Sequence, residues 1–293
     1  MASRYSWLVS TLSRTRFFAT FVICMCLCFT AIGNSAAAAE ATGPAARSER
    51  KFLTTDMKPL HDPALHAWIM EDWSRLISIA SDWVLADPSN VAAWRYLADG
   101  HFGINAMDKA ELVYRKVLEL EETAVVWESL GETLLWQGIA HQLQSADELA
   151  AGDLDEALAC MQSALGLDAG YARVFGGIGM IRYHQQEPEL ARAALELHLG
   201  HYPQDARSWH YLGMVQADLG DDESAVSAFR AAVSLTVNPL SQLRNWLLLR
   251  ESATKIGRDD LVREANENLY RMASLIRDRQ ANDQVTSIAS NEE

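Results

Sequence analysis

Residues 209–232 read WHYLGMVQADLGDDESAVSAFRAA, and the spacing inside this stretch decides the fold. Trp209 is followed at +3 and +4 by Leu212 and Gly213, at +11 by Gly220, at +16 by Ala225, at +20 by Phe229 and at +23 by Ala232. Two helices joined by a turn satisfy this pattern. Gly213, Ala225 and Ala232 are small enough to let the pair approach closely, and Trp209 and Phe229 fill the gaps between successive pairs. The same phase recurs along the chain. The aromatics Trp94, Trp127, Phe175, Trp209 and Trp246 are separated by 33, 48, 34 and 37 residues, which predicts an all-α solenoid of helix-turn-helix units.

The other units keep parts of the pattern. Trp94 is followed by Leu97, Ala98, Ala110 and Tyr114; Trp127 by Leu130 and Gly131; Phe175 by Ile178, Gly179, Ala191 and, at the closing position, Pro203. Aromatic, Leu-Gly pair, Ala and Phe at these offsets resemble the tetratricopeptide repeat. The expected fold is a solenoid of about five repeats over residues 61–273. Trp246 keeps Leu249, Gly257 and Leu269 but has Arg250 and Val262 where small residues belong, as suits a C-terminal cap with a polar outer face. Ala64 to Ala86, carrying Trp68, Trp73 and Trp83 and closed by Asp87-Pro88, reads as one long amphipathic N-terminal capping helix.

The 48-residue interval holds an insert. Its turn is expected at Gly138, yet the next turn-like run, Gly-Asp-Leu-Asp-Glu-Ala, starts at Gly152. Ile139 to Ala151 has Leu143, Ala146, Leu149 and Ala150 at helical spacing, with His141, Gln144, Asp147 and Glu148 between them. This reads either as a hairpin whose two helices are both lengthened or as a surface-loop insertion.

Outside the repeats the chain is simpler. Residues 1–39 carry Arg4, Arg14 and Arg16, an apolar run from Phe17 to Gly33 and an alanine-rich exit at 36–39, the layout of a secretory signal. The run is also close to the minimum for a membrane span, so residues 17–33 read alternatively as an uncleaved anchor. Either way the expected compartment is outside the cytoplasm, most simply the periplasm, and membrane contact is expected only through residues 17–33. Residues 40–60 read as a flexible linker and 274–293 as a polar disordered tail. The whole chain has a formal charge of −14; removal of residues 1–39 leaves 22 basic against 39 acidic residues, or −17. That balance disfavours nucleic acid and anionic lipid as partners. Of four cysteines only Cys160 lies beyond the leader, which excludes an internal disulfide in the processed form; its place in a second helix reads as a buried thiol.

Catalytic spacings are missing. The sequence has no C-x-x-C, H-E-x-x-H, G-x-S-x-G or G-x-x-x-x-G-K-[ST] motif. Gly176-Gly177-x-Gly179 follows no strand, and Gly179 falls on the repeat's small-residue position. His198 and His201 have i, i+3 metal spacing, but His201 precedes Tyr202-Pro203 at a helix end, where a solvated histidine is the simpler reading. The chain therefore reads as a non-enzyme without cofactor or metal.

In tetratricopeptide proteins the first helix of each repeat lines the concave face, and counting from each aromatic assigns residues to it. Those residues are Arg95, Tyr96, Asp99 and Phe102; Glu128, Glu132, Leu135 and Trp136; Arg173, Met180, Tyr183 and His184; and Arg207, His210, Tyr211 and Met214. Methionine and aromatic side chains with a few charges suit a helical peptide laid in a groove. The dicarboxylate clamp of some family members needs Lys or Arg and Asn at set places. Arg95 fits one, but Asp99 occupies an Asn place and would repel a carboxylate.

Within the superfamily, the segments Pro88 to Trp94, Trp127 to Gln137, Asp155-Glu-Ala157, Ala164 to Asp168 and Phe175 to Leu199 resemble the periplasmic tetratricopeptide subunit of cytochrome c maturation systems. Those proteins combine an N-terminal apolar segment with a short array whose middle repeat is expanded. This chain departs from them in a longer insert, two further repeats and a leader of cleavable layout. The resemblance implies that the groove holds the C-terminal helix of an apocytochrome near the heme-attachment enzyme. The alternative is a structural subunit of an envelope machine for polysaccharide export or outer-membrane protein assembly. Trp136, Tyr183 and Met214 are expected to serve binding and not the core.

Overall fold

The computed structural model describes residues 62–289, with side chains through residue 277. The expected signal or anchor (1–39) and linker (40–60) lie outside the described residues. Within them the chain forms twelve helices and no strand, paired as six hairpins. These are α1 (Pro63–Ile69) with α2 (Trp73–Ala86), α3 (Val91–Gly103) with α4 (Met107–Leu120) and α5 (Ala124–Leu143) with α6 (Asp147–Leu167). The series continues with α7 (Val174–His184) and α8 (Pro188–His201), α9 (Ala206–Asp218) and α10 (Asp222–Leu235), and α11 (Pro239–Lys255) and α12 (Asp259–Ala289). Helix starts follow local chemistry. The side chains of Asp62, Asp72, Asn90, Thr123, Asp205, Asp221 and Asn238 each accept a hydrogen bond from a first-turn N–H, and Pro63, Pro188 and Pro239 sit where a missing N–H costs nothing.

All six hairpins turn in the same way. The residue just past the first helix adopts positive φ, at Glu71, Asn105, Ser145, Gln186, Gly220 and Gly257. Its N–H reaches back three residues and the next N–H reaches back five, as in Asn105 N to Phe102 O (2.9 Å) and Ala106 N to His101 O (2.9 Å). This pair of bonds closes the helix end. Only two of the six positions carry glycine, and that corrects two sequence expectations. The stretch 64–86 is not one helix but a hairpin broken at Glu71, with Asp72 capping α2. The turn of the lengthened hairpin lies at Gln144–Ala146, centred on Ser145, while Gly138 and Gly152 are both helical. Ser145 and Gln186 are exposed, so the left-handed backbone costs them roughly 1–2 kcal/mol with little to offset it. Ser145→Gly and Gln186→Gly are each expected to raise the unfolding free energy by about 0.5–1 kcal/mol, after the entropy glycine adds to the unfolded chain. A fall in urea midpoint for both would exclude this turn geometry.

Packing within and between hairpins uses the repeat's small positions. A Cβ on Gly131 would lie 3.1 Å from Ala157 O, one on Gly179 2.5 Å from Leu195 Cγ, and one on Gly213 2.6 Å from Phe229 Cε1. Gly177 meets Met161 of the preceding hairpin, and Gly176 lies against the His198 ring, so the glycine-rich run serves close packing. The indole N–H groups of Trp94 and Trp209 donate to the carbonyls of Pro88 and Pro203, both at 2.9 Å, which ties each signature aromatic to the loop that leads into its helix. The largest buried cluster runs from Ala98 to Ala228. A second gathers Phe229, Trp246 and Leu249, a third joins α1 and α2 to Tyr96, and Met214 packs against both of the first two.

The insert lengthens both helices of the third hairpin, which then reaches out to its neighbours. Gln137 Nε2 donates to Asp108 and Glu111 of the preceding hairpin; Gln142 Nε2 donates to the His184 carbonyl of the following one (3.0 Å), and Gln185 Nε2 of that hairpin donates back to Asp155 (2.8 Å). Gly138 makes this possible by admitting Leu154 and the Ala150 carbonyl at its surface. At the C-terminus α12 continues as helix through residues 274–289, where the sequence suggested a disordered tail. None of the described helices is long and apolar enough to cross a membrane.

Candidate functional site on the first-helix face

The first helices of successive hairpins touch side by side, α1 with α3, α5 with α7, α7 with α9 and α9 with α11, whereas second helices do not meet so closely. The first helices thus line one continuous face. Adjacent side chains on that face differ sharply in what they present. Leu135 is fully buried and Met180 is 3% exposed, both within the main core. They are structural, because both are sealed within that core. Tyr96 is buried edge-on to Trp83 at 6.3 Å, and Tyr211 is buried among the rings of Tyr183, His184 and His210. Phe102, Trp136, Tyr183 and Met214 are half-buried and packed against the core. The expectation that Trp136, Tyr183 and Met214 have no core role is therefore corrected: each both packs and faces outward.

The polar residues are held in fixed partnerships. Asp99 accepts from Tyr114 Oη (2.6 Å) and Trp68 Nε1 (3.1 Å), which joins α1, α3 and α4. Burial raises its carboxyl pKa against the opposing pull of these bonds and of Arg95. Asp99 is thus a structural joint. Glu128, also buried, accepts from Tyr171 Oη (2.6 Å) and Arg173 Nε (2.9 Å) of the following hairpin, and burial again raises its pKa. Arg207 spans two hairpins to reach Glu132 at 3.2 Å, with its guanidinium over the Trp136 ring at 5.7 Å. This stacking is suited to a planar cation.

His184 has neutral-ring geometry, and His210, desolvated in the same way, lies on the next first helix. His184 Nδ1 lies 2.9 Å from Gln142 Oε1 and its Nε2 lies 3.2 Å from Tyr211 Oη, so one nitrogen donates and the other accepts. His210 Nδ1 lies 2.6 Å from the oxygen of buried Asn245. Burial pushes both imidazoles down to about 4. Gln142, Tyr171, Arg244 and Asn245 complete the face and escaped the sequence reading. Arg244 and Asn245 carry a signal, since they directly precede Trp246 as Arg173 and Arg207 precede their aromatics, but Gln142 lies in the insert, where repeat counting fails.

Among the described residues reactive geometry is sparse. His198 Nε2 and Ser208 Oγ both meet Asp205, at 3.2 and 2.6 Å, while Asp205 also caps α9. The serine points at the carboxylate and not at the imidazole, so nothing activates it as a nucleophile. His198 is buried and stacked on Tyr202, whereas His201, the histidine expected to be solvated at this helix end, is exposed. No group of three metal-capable side chains occurs among the described residues. Cys160 is buried, and burial pushes its thiol up to about 12.

Comparison with known proteins agrees with this geometry. Residues 148–219 and 206–236 each match a tetratricopeptide repeat family. Among solved structures the fold is similar to PilW, a type IV pilus biogenesis factor, with TM-score 0.58 and 20% identity over 70% of this chain and 88% of that one. It is also similar to the APC/C hetero-tetramer Cut9–Hcn1, with TM-score 0.59 and 17% identity over 77% of this chain and 42% of that one. A third similar structure is a thermophilic tetratricopeptide protein of Thermus thermophilus, with TM-score 0.54 and 14% identity over 64% of this chain and 95% of that one. No curated protein matches the sequence. The described residues form an all-α solenoid of tetratricopeptide type, with repeats matched over 148–236, a scaffold architecture whose usual work is to bind other proteins.

Proposed function

We propose that this protein is an exported, non-enzymatic adaptor that holds a segment of another protein against its first-helix face. One observation carries the reading. Trp136, Arg207, Tyr183 and Met214 belong to the first helices of three separate hairpins, with Arg207 stacked on Trp136 and Tyr183 edge-on to Tyr211. Rigid aromatics, an adaptable methionine and a stacked arginine are the side chains that dominate protein contacts. The layout of residues 1–39 supports export to the periplasm, and an apocytochrome c segment is the occupant suggested by the sequence resemblance. Service as a structural subunit of an envelope machine is the second reading, supported by that same leader and by a fold shared with PilW.

A photo-crosslinking amino acid at position 136 or at position 112, where Leu112 is exposed on the second helix α4, separates these readings. Adducts to one partner at 136, competed by a peptide of the crosslinked segment and missing at 112, are the expected result. Adducts at 112 alone would sink the groove and favour an assembly subunit working through its outer surface.

A further inference from the structure

Among the described residues no helix follows α12, so the last hairpin has no successor to cover it. The side it would offer to a successor can be read from the hairpin before. There His210 bonds Asn245 of α11, and Met214, Phe229 and Val233 pack in the cluster of Trp246 and Leu249. Their counterparts 37 residues on are Leu247 for His210, Glu251 for Met214, Asn266 for Phe229 and Tyr270 for Val233. A polar outer face was expected of this cap, and only Glu251 and Asn266 supply it. Leu240, Leu243 and Leu247 recur at i, i+3 and i+7 along α11, the first 44% exposed and the others half-buried, and Tyr270 of α12 is 75% exposed. Apolar side chains gathered where hairpins stack mark a contact surface.

The form of α12 indicates what covers that surface. The helix has 31 residues against 17 in α11, so 31 − 17 = 14 residues at its end have no helix of their own hairpin beside them. Its charge is also divided. Residues 259–267 hold Asp259, Asp260, Glu264 and Glu267 against Arg263 alone, whereas residues 271–277 hold Arg271 and Arg277 and no acid. Asp260 and Glu264 already meet Arg258 and Arg230, but Glu267, Arg271 and Arg277 are exposed. Two copies of α12 laid antiparallel about a twofold axis beside Tyr270 set the acidic half of each over the basic half of the other. Parallel copies would set like on like. A helix that complements itself in this way fits an isologous contact. Elsewhere two chains of formal charge −14 repel, so the local match fixes the orientation.

We propose that the protein forms a twofold dimer through its C-terminal end, with the open side of α11 and α12 meeting the same side of a second copy. Leu240, Leu247 and Tyr270 supply the apolar contact, and the divided charge of α12 sets the antiparallel register. The contact does not use Trp136, Tyr183 or Met214, so it stands or falls apart from the groove.

The test combines disulfide trapping with sedimentation of the full chain. A residue beside a twofold axis lies near its own copy, so Tyr270→Cys, oxidised with copper–phenanthroline, is expected to give a linked pair of twice the chain mass. The parent and Leu112→Cys, exposed on α4, should not. Sedimentation is expected to show a monomer–dimer equilibrium that weakens at least about tenfold in Tyr270→Glu, and equally in Arg271→Glu with Arg277→Glu. Both sets of changes fall on exposed side chains, and unchanged circular dichroism shows that the variants fold. A monomer at every concentration, or a dimer that neither set weakens, would overturn the inference. Polymers that grow with concentration and give no disulfide from Tyr270→Cys would overturn it in favour of head-to-tail stacking. A crosslink from position 270 to a different protein alone would overturn it in favour of another occupant.

Discussion

Lowering the pH from 7 to 5 is expected to cost the folded state about 4 kcal/mol, about 2 kcal/mol from each of His184 and His210. Both rings are held neutral, with folded pKa values near 4 against about 6.5 in an unfolded chain. Their contribution is thus fully present above pH 6.5 and is lost as the pH falls toward 4, because the unfolded chain binds the protons first. At about 1.4 kcal/mol per pKa unit this is a sizeable part of a domain's stability. Asp99 and Glu128 act in the opposite sense, since burial raises their carboxyl pKa values and protonation relieves that cost as the pH drops. Asp205 works against its burial through bonds from His198 and Ser208, which hold it at about 2, so its contribution fades only at more acid pH. Comparison with the double variant, and not the window from 6.5 to 5 alone, isolates the two rings from Asp99, Glu128 and the similarly lowered His101. Urea unfolding across that window should show a steep slope that His184→Gln with His210→Gln largely removes. An unchanged slope in that double variant would mean that neither ring is held neutral.

Gly179→Leu is expected to be nearly as damaging, at about 3 kcal/mol, the upper part of the range for overpacking. A Cβ there falls 2.5 Å from Leu195 Cγ and 3.2 Å from the Leu195 backbone nitrogen. Leu195 is fully buried and cannot swing aside, and the nearby backbone prevents the helices from simply sliding. At Gly213 the obstacle is the ring of buried Phe229, so Gly213→Leu should cost on the order of 1–3 kcal/mol. Leu195→Ala alone removes core contacts, yet combined with Gly179→Leu it should cost less than the sum of the two, because one cavity accepts the added side chain. Thermal melts of the four proteins decide the matter. A Gly179→Leu chain that melts with the parent would place α7 and α8 farther apart than the repeat requires.

The legible part of this protein was periodic. Trp209, Gly213, Ala225 and Phe229 announce a hairpin because each packing role accepts few residue types, and a role repeated about every 34 residues is visible without knowledge of the neighbours. Turns were less legible. A left-handed residue advertises itself only when it is glycine, as at Gly220 and Gly257; Glu71 and Ser145 adopt the same φ because the hairpin around them demands it. Gly138 and Gly152 show the converse, two glycines that read as turns yet lie within helices.

Counting assigned side chains to the first helices, but did not show which of them remain open there. Leu135 and Trp136 are neighbours in sequence, and only the arrival of the adjoining hairpin seals the first and leaves the second half-exposed under Arg207. The bonds that fix Asp99, Glu128 and His184 cross between helices and join residues 15–45 positions apart. The sequence by itself determined the helical period and the hairpin architecture, since those follow from local spacing and side-chain size. Tertiary packing alone decided the exposure and charge state of each residue on the first-helix face, because burial and hydrogen bonding there are set by partners that only stacking brings within reach.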